Sequence, residues 1–124
     1  MPVRVLIVDD QEPFRSAARM VVEMADGFEV VGEAESGEEG VELAAELRPD
    51  LVLMDVYLPG IDGLEATRRI TATEAAPQVL VMSTNESEEF AEAALAAGAI
   101  AFVPKSQFGM DKLADAWAQA SEKP

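Results

Sequence analysis

No cysteine and no histidine occur anywhere in the sequence. The first absence excludes a disulfide framework and a thiolate metal site. The second removes imidazole ligands, imidazole bases and phosphohistidine chemistry on this chain together. Any acid, base or phosphoacceptor must therefore be a carboxylate, a hydroxyl or an amine. Positive charge is also scarce: nine basic residues face twenty-four acidic ones, a net charge of −15. Such a surface repels nucleic-acid phosphates and anionic membranes, so direct DNA binding by this chain is not expected. No apolar run approaches the length of a membrane span, and Met1-Pro2-Val3-Arg4 leads straight into an apolar strand without a basic leader. The expectation is a soluble cytoplasmic protein. At 124 residues it is read as one domain, residues 1–124.

What the chain does have is a set of short apolar runs separated by helical patterns. Leu51-Val52-Leu53-Met54 suits a strand buried on both faces of a parallel sheet, and it ends in Asp55. The Pro/Gly-punctuated segment Tyr57 to Gly63 closes that strand and opens a helix, which puts Asp55 at the strand's carboxyl edge, where open α/β sheets bind ligands. Earlier, Val3 to Val8 forms an opening strand that stops at Asp9 and Asp10, and Pro13 suits the first turn of a helix with Phe14, Ala17, Ala18, Val21, Val22 and Ala25 inward. Phe28 to Gly32 is predicted as a short second strand, followed by a helix with Gly40, Leu43, Ala44 and Leu47 inward. Leu64, Thr67 and Ile70 mark a third helix, Val79 to Met82 a fourth strand ending at Ser83-Thr84, and Phe90, Ala93, Ala94 and Ala97 a fourth helix stopped by Gly98. A fifth strand, Ala99 to Val103, ends in Pro104-Lys105-Ser106, and the last helix places Met110, Leu113, Ala114 and Trp117 on one face. The acidic runs Glu35 to Glu46 and Glu86 to Glu92 alternate with apolar residues at helical spacing and read as solvated helix faces. Five strands alternating with five helices predict an α/β fold, a doubly wound three-layer sandwich on a five-stranded parallel sheet.

Four of those strands end in a chemically useful residue: Asp9 and Asp10, Asp55, Ser83 and Lys105. Each alone has a mundane role, as a helix cap, a turn bond or a surface charge. Together, in a parallel sheet, they share one edge. Two unit charges ~4 Å apart repel by roughly 4 kcal/mol at an effective dielectric near 20, so three clustered carboxylates need counter-charge. Lys105 supplies one. A hard divalent cation fits the remainder, and Mg²⁺, which keeps several waters and takes one or two carboxylates plus phosphate oxygens, suits an open site. A carboxylate so clamped, beside a lysine and a hydroxyl, is set up to attack phosphorus while Lys105 and Ser83 hold the phosphoryl oxygens.

With those residues assembled, the chain resembles the receiver domain of two-component response regulators, chemotaxis receivers among them, along essentially its whole length. Val8-Asp9-Asp10, Met54-Asp55-Val56-Tyr57-Leu58-Pro59-Gly60-Ile61-Asp62-Gly63, Met82-Ser83 and Ala101-Phe102-Val103-Pro104-Lys105 fall in the family's order and spacing. The resemblance implies a flavodoxin-like strand order, 2-1-3-4-5. It implies Asp55 as the phosphoacceptor from a histidine kinase or phosphotransfer protein, with Ser83 and Lys105 binding phosphoryl oxygens. Asp10, Asp55 and the Tyr57 backbone carbonyl would ligate Mg²⁺, with Asp9 reaching it through water and no further cofactor. Ser83 and Phe102 would be the switch pair, remodelling the face of helix four, strand five and helix five for a downstream effector protein or fused output domain, with room for a phosphorylation-dependent dimer.

Several positions depart from the commonest pattern. Phe102 lacks the hydroxyl of the tyrosine often found there, Thr84 is bulkier than the usual alanine or glycine, and Ser106 stands where many receivers carry the proline of a cis peptide. Tyr57 and Asn85 occupy positions that modulate hydrolysis in the family, so the phosphoryl lifetime is expected to respond to both. Competing readings are the front half of a helix-turn-helix transcription regulator, a receiver-fold module that works without phosphate, and an aspartyl-phosphate phosphohydrolase. The last needs a second acid two residues after its nucleophile, and that position is Tyr57. A phosphoacceptor signalling domain rather than an enzyme, from a bacterial source, is the leading expectation.

Overall fold

A computed structural model describes residues 2–84 and 88–122. Asn85 and Glu86 lie outside the described residues. The elements alternate from the first strand: β1 (Val3–Val8), α1 (Glu12–Met24), β2 (Phe28–Ala34), α2 (Gly37–Leu47), β3 (Leu51–Asp55), α3 (Gly63–Thr71), β4 (Gln78–Ser83), α4 (Glu88–Ala96), β5 (Ala101–Pro104) and α5 (Met110–Glu122), with one 3-10 turn at Lys105–Gln107. All pairings are parallel, and the strand order is β2-β1-β3-β4-β5. That is the flavodoxin-like doubly wound arrangement.

The sheet is apolar on both faces because every parallel crossover lays a helix on it. Leu6, Val8, Val52, Met54, Val79 and Val81 belong to one core, closed by residues of α2, α3 and α4. Val5, Ile7, Leu51, Leu53, Leu80 and Met82 belong to the other, closed by α1 and α5. Successive residues of one strand alternate between the two cores, the period-two consequence of strand geometry. The central strand β3 is buried along its entire length, which explains why it reads as an unbroken apolar run.

Local chemistry sets the helix starts. Pro13 lies in the first turn of α1, where its missing N–H costs nothing. Ser36 caps α2, its hydroxyl accepting from Glu39 N–H at 3.1 Å, and Asp62 caps α3 by accepting from Glu65 N–H at 2.8 Å. Gly98 ends the turn after α4 at φ +108°, where a Cβ would press on the Thr71 side chain.

Four details depart from the sequence expectation. β2 runs on to Ala34 because Glu33 and Ala34 still pair with Ile7 and Val8, beyond a register shift between Val5 and Leu6. β5 begins at Ala101 rather than Ala99, although Ile100 N–H already reaches Val79 O at 2.9 Å. On α5 the inward stripe is Leu113, Ala116, Trp117 and Ala120. Met110 and Ala114 are exposed, since the helix begins at Met110 and its first-turn side chain precedes the packed stripe. On α1, Ala17 faces solvent and Arg15 takes a buried position in the stripe with Ala18 and Val22.

Candidate phosphoacceptor site

The parallel sheet carries the chemistry to one edge. Asp9 follows the last residue of β1, Asp55 ends β3, Ser83 ends β4 and Lys105 follows β5. Asp55 pairs in register with Met82, and Ser83 with Pro104, so adjacent strand ends hold the acid, the hydroxyl and the lysine.

Asp9 is almost fully buried and every one of its polar atoms is engaged. Its N–H donates to Ala34 O at 3.0 Å, its carbonyl accepts from Arg15 Nη1 at 2.7 Å, and Oδ1 accepts from Gln11 N–H at 2.8 Å. Oδ2 lies 2.6 Å from Lys105 Nζ. That contact is ionic: Oδ2 has no hydrogen bond of proper geometry. Lys105 also stands 3.4 Å from Asp55 Oδ2 and 4.4 Å from the centre of the Phe14 ring. Its ammonium is thus desolvated but held by two carboxylates and an aromatic face.

Asp55 is 3 % exposed. Burial, and then the charge of Asp9, push its carboxyl from 3.8 up to about 6, against the opposing pull of Lys105 and of the Tyr57 backbone N–H. One ammonium does not balance the cluster. Asp10, which is exposed, completes a trio with Asp9 and Asp55 in which one carboxylate oxygen from each lies within 4.8 Å of the others. An acidic pocket of hard oxygen donors, one of them a buried oxygen lacking an aligned donor, fits a small divalent cation of the Mg²⁺ kind.

The structure therefore brings together Asp9, Asp10, Asp55 and Lys105, with Ser83 wholly buried at the neighbouring strand end. Phe102, half-buried, packs into the core beneath α2, α3 and α4. Tyr57 is 52 % exposed and meets Phe90 of α4 edge-to-face, with ring centres 5.6 Å apart. Thr84 is exposed at the mouth of the strand edge. Among the described residues no peptide bond is cis, in keeping with serine at 106. Arg15, which grips the Asp9 carbonyl, was missed in the sequence. Its signal was a lone arginine at helical spacing with Ala18 and Val22, where the pattern calls for an apolar residue.

The doubly wound parallel sheet, with an acidic pocket and a lysine at its carboxyl edge, has the architecture of a receiver domain. Residues 5–118 match the response regulator receiver domain family, and the chain belongs to that family. It is 46% identical over 105 residues to the protein-glutamate methylesterase/protein-glutamine glutaminase 5 of Myxococcus xanthus, covering 84% of this chain and 30% of that protein. It is 43% identical over 103 residues to the response regulator GacA of Pseudomonas viridiflava, covering 83% of this chain and 48% of that one. The chain thus spans half or less of the length of these curated relatives. Among solved structures, the signal receiver domain of the response regulator NarL from Mycobacterium tuberculosis superposes with a TM-score of 0.90 at 28% identity, covering 98% of each chain. Among the described residues no helix is long and apolar enough to cross a membrane.

Proposed function

We propose that Asp55 accepts a phosphoryl group from the phosphohistidine of a histidine kinase or phosphotransfer protein. The observation that carries this reading is the burial of Asp55 beside Asp9, Asp10 and Lys105 at one sheet edge. An oxygen of the ionised Asp55 carboxylate attacks phosphorus, the P–N bond breaks, and the donor imidazole leaves with the electron pair. Lys105 lies close enough to both buried carboxylates to pass from Asp55 to an incoming phosphoryl oxygen without leaving Asp9. The Ser83 hydroxyl donates to a second oxygen. Bound Mg²⁺, held by the carboxylates of Asp10 and Asp55 and the Tyr57 carbonyl, with Asp9 acting through water, would supply the remaining charge compensation.

Phosphorylation adds about −1.5 to −2 charges beside Lys105 and Ser83. The response runs through Ser83 and Phe102 to the face formed by α4, β5 and α5, which meets a downstream effector, an output domain or a second copy; Leu95 of α4 and Met110 at the start of α5 are exposed, at 55% and 47%. We read residues 1–124 as one receiver unit acting in the cytoplasm, a signalling module rather than an enzyme in its own right, without direct nucleic-acid contact. The greater length of the relatives favours a second reading, in which this receiver precedes an output domain such as that of a helix-turn-helix transcription regulator.

Incubation with acetyl phosphate and Mg²⁺ is expected to add one phosphoryl group by intact mass, and chelation of Mg²⁺ should prevent it. Borohydride reduction, which turns an aspartyl phosphate into homoserine, should place the modification at position 55. Label at another residue, or equal uptake without Mg²⁺, would refute the assignment. Tyr57, two residues after the acceptor with its ring against Phe90, is read as a screen against attacking water, so Tyr57→Ala is expected to shorten the phosphoryl lifetime severalfold. An unchanged dephosphorylation rate would remove that role.

A further inference from the structure

The three acids of the pocket are not held alike. Asp9 is fixed at all its polar atoms, and Asp55 is buried between Asp9, Lys105 and its own strand. The Asp10 carboxylate has no hydrogen bond or ion pair among the described residues. Among the described residues its position is set by its backbone alone, and the peptide that delivers it is Asp9–Asp10. The carbonyl of that peptide accepts the 2.7 Å hydrogen bond from Arg15 Nη1.

Arg15 is only 9 % exposed, and its other nitrogens are occupied: Nε faces Glu33 at 3.4 Å and Nη2 faces Glu35 at 3.4 Å. Arg19 closes the group through Nη1 to Glu33 at 3.2 Å. Two guanidiniums thus face two carboxylates, so the network has no net charge to lend the acidic pocket. What it provides is direction. The planar fork, aimed by glutamates at the end of β2 and just beyond it, can present Nη1 to the Asp9 carbonyl in one orientation only.

We propose that Arg15 is a positioning residue: by fixing the Asp9–Asp10 peptide it keeps the otherwise unanchored Asp10 carboxylate in register with Asp9 and Asp55 for a divalent cation. This rests on the reading of the acidic pocket as a cation site. It extends to the main chain the rule that groups behind metal ligands orient them.

The test is the Mg²⁺ dissociation constant, measured by calorimetry on the whole chain for wild type, Arg15→Met, Arg15→Lys and Arg19→Met. Thermal unfolding confirms that each variant is folded. Arg15→Met should bind Mg²⁺ roughly tenfold more weakly, the usual scale for losing an orienting partner. The sign is diagnostic, because deleting a nearby cation that acted only through its charge would strengthen Mg²⁺ binding. Arg15→Lys keeps the charge and gives up the fork, so a loss of about threefold there is geometric. It also decides the matter if Arg15→Met does not fold. Arg19→Met, which leaves the Asp9 carbonyl bonded, should match wild type. Wild-type or tighter binding in Arg15→Lys, or in a folded Arg15→Met, overturns the role of Arg15 alone. Absence of Mg²⁺ binding by the wild type overturns both this role and the proposed function.

Discussion

Asp55→Asn is expected to abolish phosphoryl uptake and, at the same time, to make the metal-free domain more stable. The first effect follows from chemistry: a neutral amide oxygen has no anionic lone pair to form the acyl phosphate, so uptake falls below detection rather than by a graded factor. The second follows from burial. A carboxylate 3 % exposed beside Asp9 is costly to ionise, which is why its carboxyl rises from 3.8 to about 6. Because the native state holds this proton more tightly than the unfolded chain does, stability falls as pH rises from about 4 to about 6, then levels off. Two pKa units correspond to about 3 kcal/mol. That figure is already net of the pull of Lys105, and asparagine escapes it; with an amide N–H left poorly partnered in its place, a net gain of about 1–2 kcal/mol is expected at pH 8. For a domain of this size that is a rise in Tm of about 3–8 °C.

Two further outcomes check the cause. The advantage of Asp55→Asn should shrink at pH 4, where the wild-type carboxyl is largely protonated in the native state as well. It should also shrink in saturating Mg²⁺, which stabilises the wild type by binding the native form. Chemical denaturation at pH 8 and pH 4 measures both. A variant less stable than wild type at pH 8, or an advantage that does not depend on pH, would show that Asp55 is not a strained carboxylate.

The sequence made the strands legible because a parallel sheet buries both faces. Leu51 to Met54 and Val79 to Met82 could be little else, and the residues that end them, Asp55 and Ser83, lie at one sheet edge. Helix faces were harder to place. Alanine fits either side of a helix, so helical spacing places Ala17 and Ala114 inward although solvent covers them, and it passes over Ala116, which is buried with Leu113. The sequence pattern ends β2 at Gly32 because Glu33 looks like a loop residue. Its carboxylate is instead neutralised by Arg15 and Arg19, a pairing between distant segments that no local pattern carries. The same long-range pairing concealed Arg15. Within the site, residue types could be read from the chain, but the 2.6 Å approach of Lys105 to Asp9, closer than its approach to Asp55, depends on the sheet register and on the Phe14 ring under the ammonium.

The second large effect is structural. Gly63→Ala is expected to cost about 3 kcal/mol or more, lowering Tm by roughly 10 °C. Gly63 opens α3 and donates its N–H to Val56 O at 2.8 Å, which folds the loop after β3 tightly back on the strand end. A Cβ there would penetrate the Asp55 carbonyl oxygen and crowd its carbon and Val56 Cα. All three obstacles are main chain, so no rotamer change relieves them. Either α3 or the end of β3 must shift, and the end of β3 carries Asp55. Displacing a reacting group by as little as ~1 Å can cost about a hundredfold in rate, so phosphoryl uptake by any folded Gly63→Ala protein should slow steeply. Gly109→Ala is the matching control: a Cβ at Gly109 meets nothing within 4 Å, and its φ lies outside the left-handed range. That substitution should change stability by no more than about 0.5 kcal/mol. Denaturant melts of the two variants against wild type separate the cases. If Gly63→Ala stayed within about 1 kcal/mol of Gly109→Ala, the close approach of α3 to the Asp55 main chain would not be a feature of the folded protein.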